Sequence, residues 1–189
     1  FETVATTSTE VEGFASIHSM NSTEEMASQP ETNITCDYLI VGAGTGCLSF
    51  VDTLLTLRED VTFVIVDRNS RPGGHWTSAY PFVLLHQPSC YYGVKSLSLG
   101  KLDKNGKEIY NLNDRATADE ICVYYRKVVE NFVATGRVRT YFEANYEGEA
   151  AGLSETNSST YNDPTAKITH IFTTKEGRSI HVKCMKVVQ

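Results

Sequence analysis

The stretch DYLIVGAGTGCLSF, from Asp37 to Phe50, restricts the fold of this chain more than any other. It opens, from Cys36, as a near-continuous apolar run, the pattern of a strand covered on both faces. It turns on glycines and then changes period. Leu48, Val51, Leu54 and Leu55 share one helical face between Thr45 and Arg58, with Cys47 and Phe50 beside it. VTFVIVDR follows as a second buried strand ending at Asp67. Strand, glycine turn, helix and strand within about 30 residues make a βαβ unit, whose crossover is right-handed.

The turn has the chemistry of a phosphate cradle. Gly42 permits the tight exit from the strand, and Gly44 removes a side chain where a pyrophosphate approaches the backbone. Thr45 and Gly46 open the helix, whose first N–H groups and positive dipole end face the phosphates. A third glycine usually follows in phase and lets the helix pack close to the strand; here that place holds Cys47. The expected result is a slightly displaced helix rather than a lost site. Asp67 lies 25 residues after Gly42, at a strand end suited to accepting hydrogen bonds from an adenosine ribose.

Around this unit the chain divides unevenly. Residues 1–35 are rich in Ser, Thr and Glu without a period and read as a disordered tail. The folded domain is expected from Cys36 to Gln189. Residues 69–113 form a long irregular segment whose aromatic content argues against disorder. Thr117 to Ala134 reads as a helix. It opens on the capping box Thr117-Ala-Asp-Glu120, buries Ile121, Tyr124, Tyr125, Val128, Val129 and Phe132, and ends at Gly136. RVRTYFEA reads as a strand, residues 147–165 as a polar surface loop, and the last segment as a β-hairpin around Lys175-Glu176-Gly177.

Composition narrows the function classes. A net charge of −6 with no basic run argues against a nucleic-acid binder. No apolar stretch approaches the roughly 20 residues of a membrane-spanning helix. Five scattered cysteines, never in C-x-x-C, fit a reducing compartment, cytoplasm or organelle interior, better than a disulfide framework or a zinc site. Ser89 lacks the sequence context of a hydrolase nucleophile.

The spacing D-x(5)-G-G-x-W, from Asp67 through Gly73 and Gly74 to Trp76, resembles the acid-to-Gly-Gly element of flavoproteins with two dinucleotide-binding domains. It most resembles the flavin-containing and Baeyer–Villiger monooxygenases, in which a Tyr-Pro or similar segment follows; here SAYPFVLLHQPSCYYG does. The resemblance implies a Rossmann-like α/β FAD-binding domain with a central parallel sheet. It places Gly42, Gly44 and Asp67 on the ADP part of FAD, with Gly73, Gly74 and Trp76 nearer the flavin. Thr45, Gly46 and Arg68 complete the candidate cofactor set, and residues 142–145 point toward the adenine. His75 and His86 are the ionisable groups nearest the expected flavin.

The chain departs from these families. Cys47 replaces glycine, Asp67 stands where Glu is commoner, and His86 falls near where Baeyer–Villiger enzymes place an aspartate. The sequence contains no second G-x-G-x-x-G for NADPH and no F-x-G-x-x-x-H linker, and KCMKVVQ falls about where a returning strand would begin. The expectation is the FAD-binding part of an NAD(P)H-dependent, monooxygenase-like flavin oxidoreductase, with NADPH held by a segment outside this chain. The alternatives are a non-catalytic accessory subunit of a larger assembly and a plain NAD(P)-binding domain. Gly-Gly-x-Trp argues against the last.

Overall fold

The computed structural model describes residues 32–107, 109–150 and 166–189. The expected tail up to residue 31 and most of the expected polar loop, residues 151–165, lie outside the described residues.

The apolar run after Cys36 forms strand β2, Tyr38–Val41, and VTFVIVDR forms β3, Phe63–Asp67. They pair in parallel, with Ile40 opposite Ile65. The helix between them, α1, runs Thr45–Leu57. The long helix α2, Ala118–Ala134, leads into strand β6, Val138–Phe142, which pairs in parallel with β3. Strand β10, Lys186–Val188, pairs in parallel with the other side of β2. The result is a four-stranded all-parallel sheet in the order β10-β2-β3-β6.

A second sheet packs behind the first. It has the order β1-β9-β8-β7, with β1 at Thr32–Thr35, β7 at Ala144–Glu149, β8 at Ile168–Thr174 and β9 at Ser179–Cys184. β1 runs parallel to β9, and the other pairs are antiparallel. Helices, parallel sheet and mixed sheet therefore stack as three layers. This explains the unbroken apolar runs of β2 and β3. Ile40, Phe63 and Ile65 face the helices in one core, while Leu39, Val64 and Val66 face Phe172, Ile180 and Val182 in the other. Each fully buried side chain of this kind contributes about 1.5–3 kcal/mol of transfer free energy.

The second sheet corrects two boundaries. Order was expected from Cys36, but β1 begins at Thr32 and lies within the expected tail. TNIT has a single apolar residue, Ile34, and has strand character only because β9 supplies its ladder. Glu147–Glu149 was read as the start of a loop and instead completes β7, with a bulge between Tyr146 and Gly148.

The irregular segment is held by side chains rather than by long strands. It contains short helical turns at Gly74–Ser78 and Ser89–Tyr91 and the two-residue strands β4, Gly93–Val94, and β5, Leu97–Ser98. The buried carboxylate of Asp52, on α1, accepts from the Ser96 backbone and hydroxyl. The Tyr124 hydroxyl accepts from Val94 N at 2.7 Å and donates to Leu97 O at 2.7 Å, and burial pushes its pKa up to about 12.

Candidate functional site

The site is built where β2 and β3 end. Gly42, at φ +101°, turns the chain out of β2 and donates to Val66 O at 2.7 Å. Gly44 caps α1, with no side-chain hydrogen bond and no acid in the first turn. The N-terminus of α2 is different: Thr117 and Glu120 satisfy each other's backbone N–H groups in the expected capping box. The first N–H groups of α1 thus lack the side-chain capping that α2 has, which suits an anion.

Gly73 and Gly74 come back against this turn. Gly73 N donates to Ala43 O at 2.9 Å. A Cβ on Gly74 would stand 2.9 Å from the Cα of Gly44, so the two backbones approach as only glycines permit. Asp67 closes the other side. It is buried, with Oδ2 accepting from Ala43 N at 2.6 Å and Oδ1 from Asn69 N at 2.7 Å and Asn69 Nδ2 at 2.9 Å. The carboxylate therefore clasps the glycine turn and still keeps an acceptor site on Oδ2, since each oxygen can accept about two hydrogen bonds.

These groups surround a cleft of about 630 Å³ at the carboxyl ends of β2 and β3. Its walls include Gly42, Gly44, Asp67, Arg68 and Gly74 from the expected set, joined by Asn69, His75 and Asn145. The chain steps outward from β2 to β3 and β6 and later returns to β10 on the other side of β2. The cleft therefore lies at the kind of switch point where open α/β sheets bind ligands. A Cβ on Gly42 would meet no atom within 4 Å, so the turn faces open space.

Other expected residues are employed elsewhere. Trp76 is buried in the helix-side core, where Nε1 donates to the Tyr92 hydroxyl at 2.6 Å. The Thr45 hydroxyl lies 2.6 Å from that of Tyr92 and accepts from Tyr125 at 2.9 Å, and burial holds the Tyr125 phenol well above its ordinary pKa. These four side chains pin the aromatic segment to α1 and α2, leaving Thr45 only its backbone N–H for a ligand. Gly46 and Gly73 support the turn without lining the cleft. His86 is exposed outside it, while His75 is on its wall. Ser89 is buried, bonded to the backbone of Asp114 and Ala116. Cys47 fits beside the strand, its thiol 3.7 Å from Val41 O. Burial raises the Cys47 pKa.

Sequence reasoning missed Tyr146, another wall residue, and its partner His170. The Tyr146 hydroxyl lies 2.9 Å from Nδ1 of the buried His170. Burial lowers the His170 pKa below 6.5. The alternation of β7 and β8 was the signal that could have paired them.

No protein-family model matches this chain. Among solved structures, it is similar to a mutant flavin monooxygenase from Stenotrophomonas maltophilia, with TM-score 0.56 and 14% identity, over 82% of this chain and 37% of that one. It is also similar to a bacillithiol disulfide reductase from Bacillus cereus, with TM-score 0.59 and 11% identity, over 81% and 38%. A polycyclic ketone monooxygenase from Thermothelomyces thermophila gives TM-score 0.58 and 16% identity, over 85% and 24%. The chain shares the fold of the matching parts of these proteins. Uncharacterized proteins of Mycobacterium tuberculosis and Mycobacterium bovis are 45% identical over 123 residues, 64% of this chain. The chain spans about a fifth of those relatives, 22% of their length. Among the described residues, no helix is long and apolar enough to cross a membrane.

Proposed function

We propose that this chain is the FAD-binding part of an NAD(P)H-dependent, monooxygenase-like flavin oxidoreductase. One observation carries the reading: the N-terminus of α1, without a side-chain cap, opens on a cleft of about 630 Å³ whose other side holds the buried carboxylate of Asp67. That volume is within the ordinary range for cofactor sites.

The residues fit FAD. The N–H groups at the start of α1 bind the pyrophosphate, and Gly42 and Gly44 let it reach the backbone. The remaining acceptor site of Asp67 takes a ribose hydroxyl. Asn145 and Tyr146 border the adenine, and Arg68 closes the exposed lip. Gly74 and His75 lie toward the flavin, with His75 placed to hold or pass a proton at an imidazole nitrogen. FAD itself supplies the redox chemistry when bound. NADPH is assigned to a further part of a longer protein, because this sequence has no second glycine motif and spans 22% of its curated relatives.

The test is a visible absorption spectrum of the purified chain, with released cofactor identified by mass spectrometry. A flavin spectrum and released FAD are expected. A folded, colourless chain that takes up no added FAD overturns the reading and leaves the accessory-subunit alternative in front.

A further inference from the structure

Two cysteines take no part in the cleft. Cys36 and Cys184 are free thiols, 2% and 1% exposed, in the core between the two sheets. They occupy matching places. Cys36 lies just after β1 on the way to β2, and Cys184 is the last residue of β9, just before β10. β1 and β9 pair in parallel through Thr35 and Lys183, and Cys36 N continues the ladder by donating to Lys183 O at 3.1 Å. In parallel pairing this bond sets Cys36 beside Cys184. Neighbouring strands lie about 4.7–4.9 Å apart, within the roughly 4.4–6.8 Å Cα separation of disulfides.

The side chains meet as well. The Cys36 thiol donates to Tyr38 O at 3.4 Å, and interaction with the neighbouring Cys184 raises its pKa while lowering that of Cys184. The Leu39 backbone and the Lys167 ammonium also favour the Cys184 thiolate. One thiol is thus biased toward thiolate while the other keeps its proton, the division of labour that thiol oxidation uses. A cavity of about 70 Å³, lined by Cys36, Thr62, Arg137 and Arg139, reaches the Cys36 member of the pair. It has room for a molecule the size of hydrogen peroxide.

We infer that Cys36 and Cys184 form a thiol-oxidation site, a dithiol that closes to a disulfide and fastens the two strand crossovers together. With hydrogen peroxide as oxidant, the two thiols lose two electrons and the S–S bond forms. The O–O bond breaks, and both thiol protons leave in two molecules of water. The cross-link acts behind β2, the strand that carries the glycine turn. It does not depend on which cofactor the cleft binds.

The experiment uses the full chain, treated with hydrogen peroxide, alkylated after denaturation and mapped by peptide mass spectrometry. Titratable thiols should fall from five to three, with a single Cys36–Cys184 link. Tm should rise on the order of 5 °C and return with dithiothreitol. Cys184→Ala should abolish both the link and the rise. The mapping of the unsubstituted chain decides the matter even if this variant does not fold. An unchanged thiol count, sulfinic acid at either position, or a link between other cysteines overturns the inference.

Discussion

Gly44 and Gly74 approach each other across 30 residues of sequence, and the cleft has its shape because neither carries a side chain. Gly74 also sits at φ +57°. Gly74→Ala therefore adds backbone strain to a collision with Gly44. It should cost about 1–3 kcal/mol in urea unfolding and weaken FAD uptake. Cys47 poses the opposite case. Its thiol is already accommodated beside Val41, so Cys47→Gly should lose about 0.5–1 kcal/mol of helix stability. A gain in the same unfolding measurement would instead show that the side chain wedges helix from strand. The glycine turn and Asp67 were legible in the sequence because their spacing is local and nearly fixed by the βαβ unit. The fate of Thr45 was not. Its hydroxyl bonds Tyr92 and Tyr125, 47 and 80 residues away, and no local pattern announces such partners.

Among the elements, those with a strong internal period were readable. α2 carries its own capping box and apolar face, and β2 and β3 are apolar throughout. β1 and β7 are short or largely polar and become strands through distant partners, so their boundaries were misjudged. α1 shows the same dependence at its end. It has no basic residue in its last turn, and Arg137 from beyond α2 donates to Leu55 O at 2.9 Å and Arg58 O at 2.5 Å. The β7–β8 pair gives a pH prediction. Burial favours neutral His170, so its folded pKa lies below the unfolded value near 6.5. The stability it contributes is complete above that value and is lost as pH falls through the lowered folded pKa. Urea midpoints should therefore decline on acidification below about pH 6.5, and His170→Gln should flatten that part of the profile.

The whole molecule couples the cleft to folding, because the glycine turn, Asp67 and the start of β7 come from separate parts of the chain and meet only in the native state. A ligand bound there stabilises the fold as a unit. FAD at about 100 times its Kd should add about 2.7 kcal/mol and raise Tm by roughly 5–10 °C in a thermal melt. No shift at saturating FAD would contradict binding in this cleft. The two-layer burial of β2 and β3 could be read from the sequence, but the covering second sheet could not, because β1 and β9 lie at opposite ends of the described chain.

That second sheet has a mechanical consequence. The two crossovers travel together: β1 parallel to β9 passes into β2 parallel to β10. Tension applied between Thr32 and Val188 drags β1 backward against β9 and β10 forward against β2. The ladders are then loaded in shear, with their hydrogen bonds sharing the force at once instead of unzipping one at a time. The strands that root the glycine turn are those best placed to resist being pulled apart.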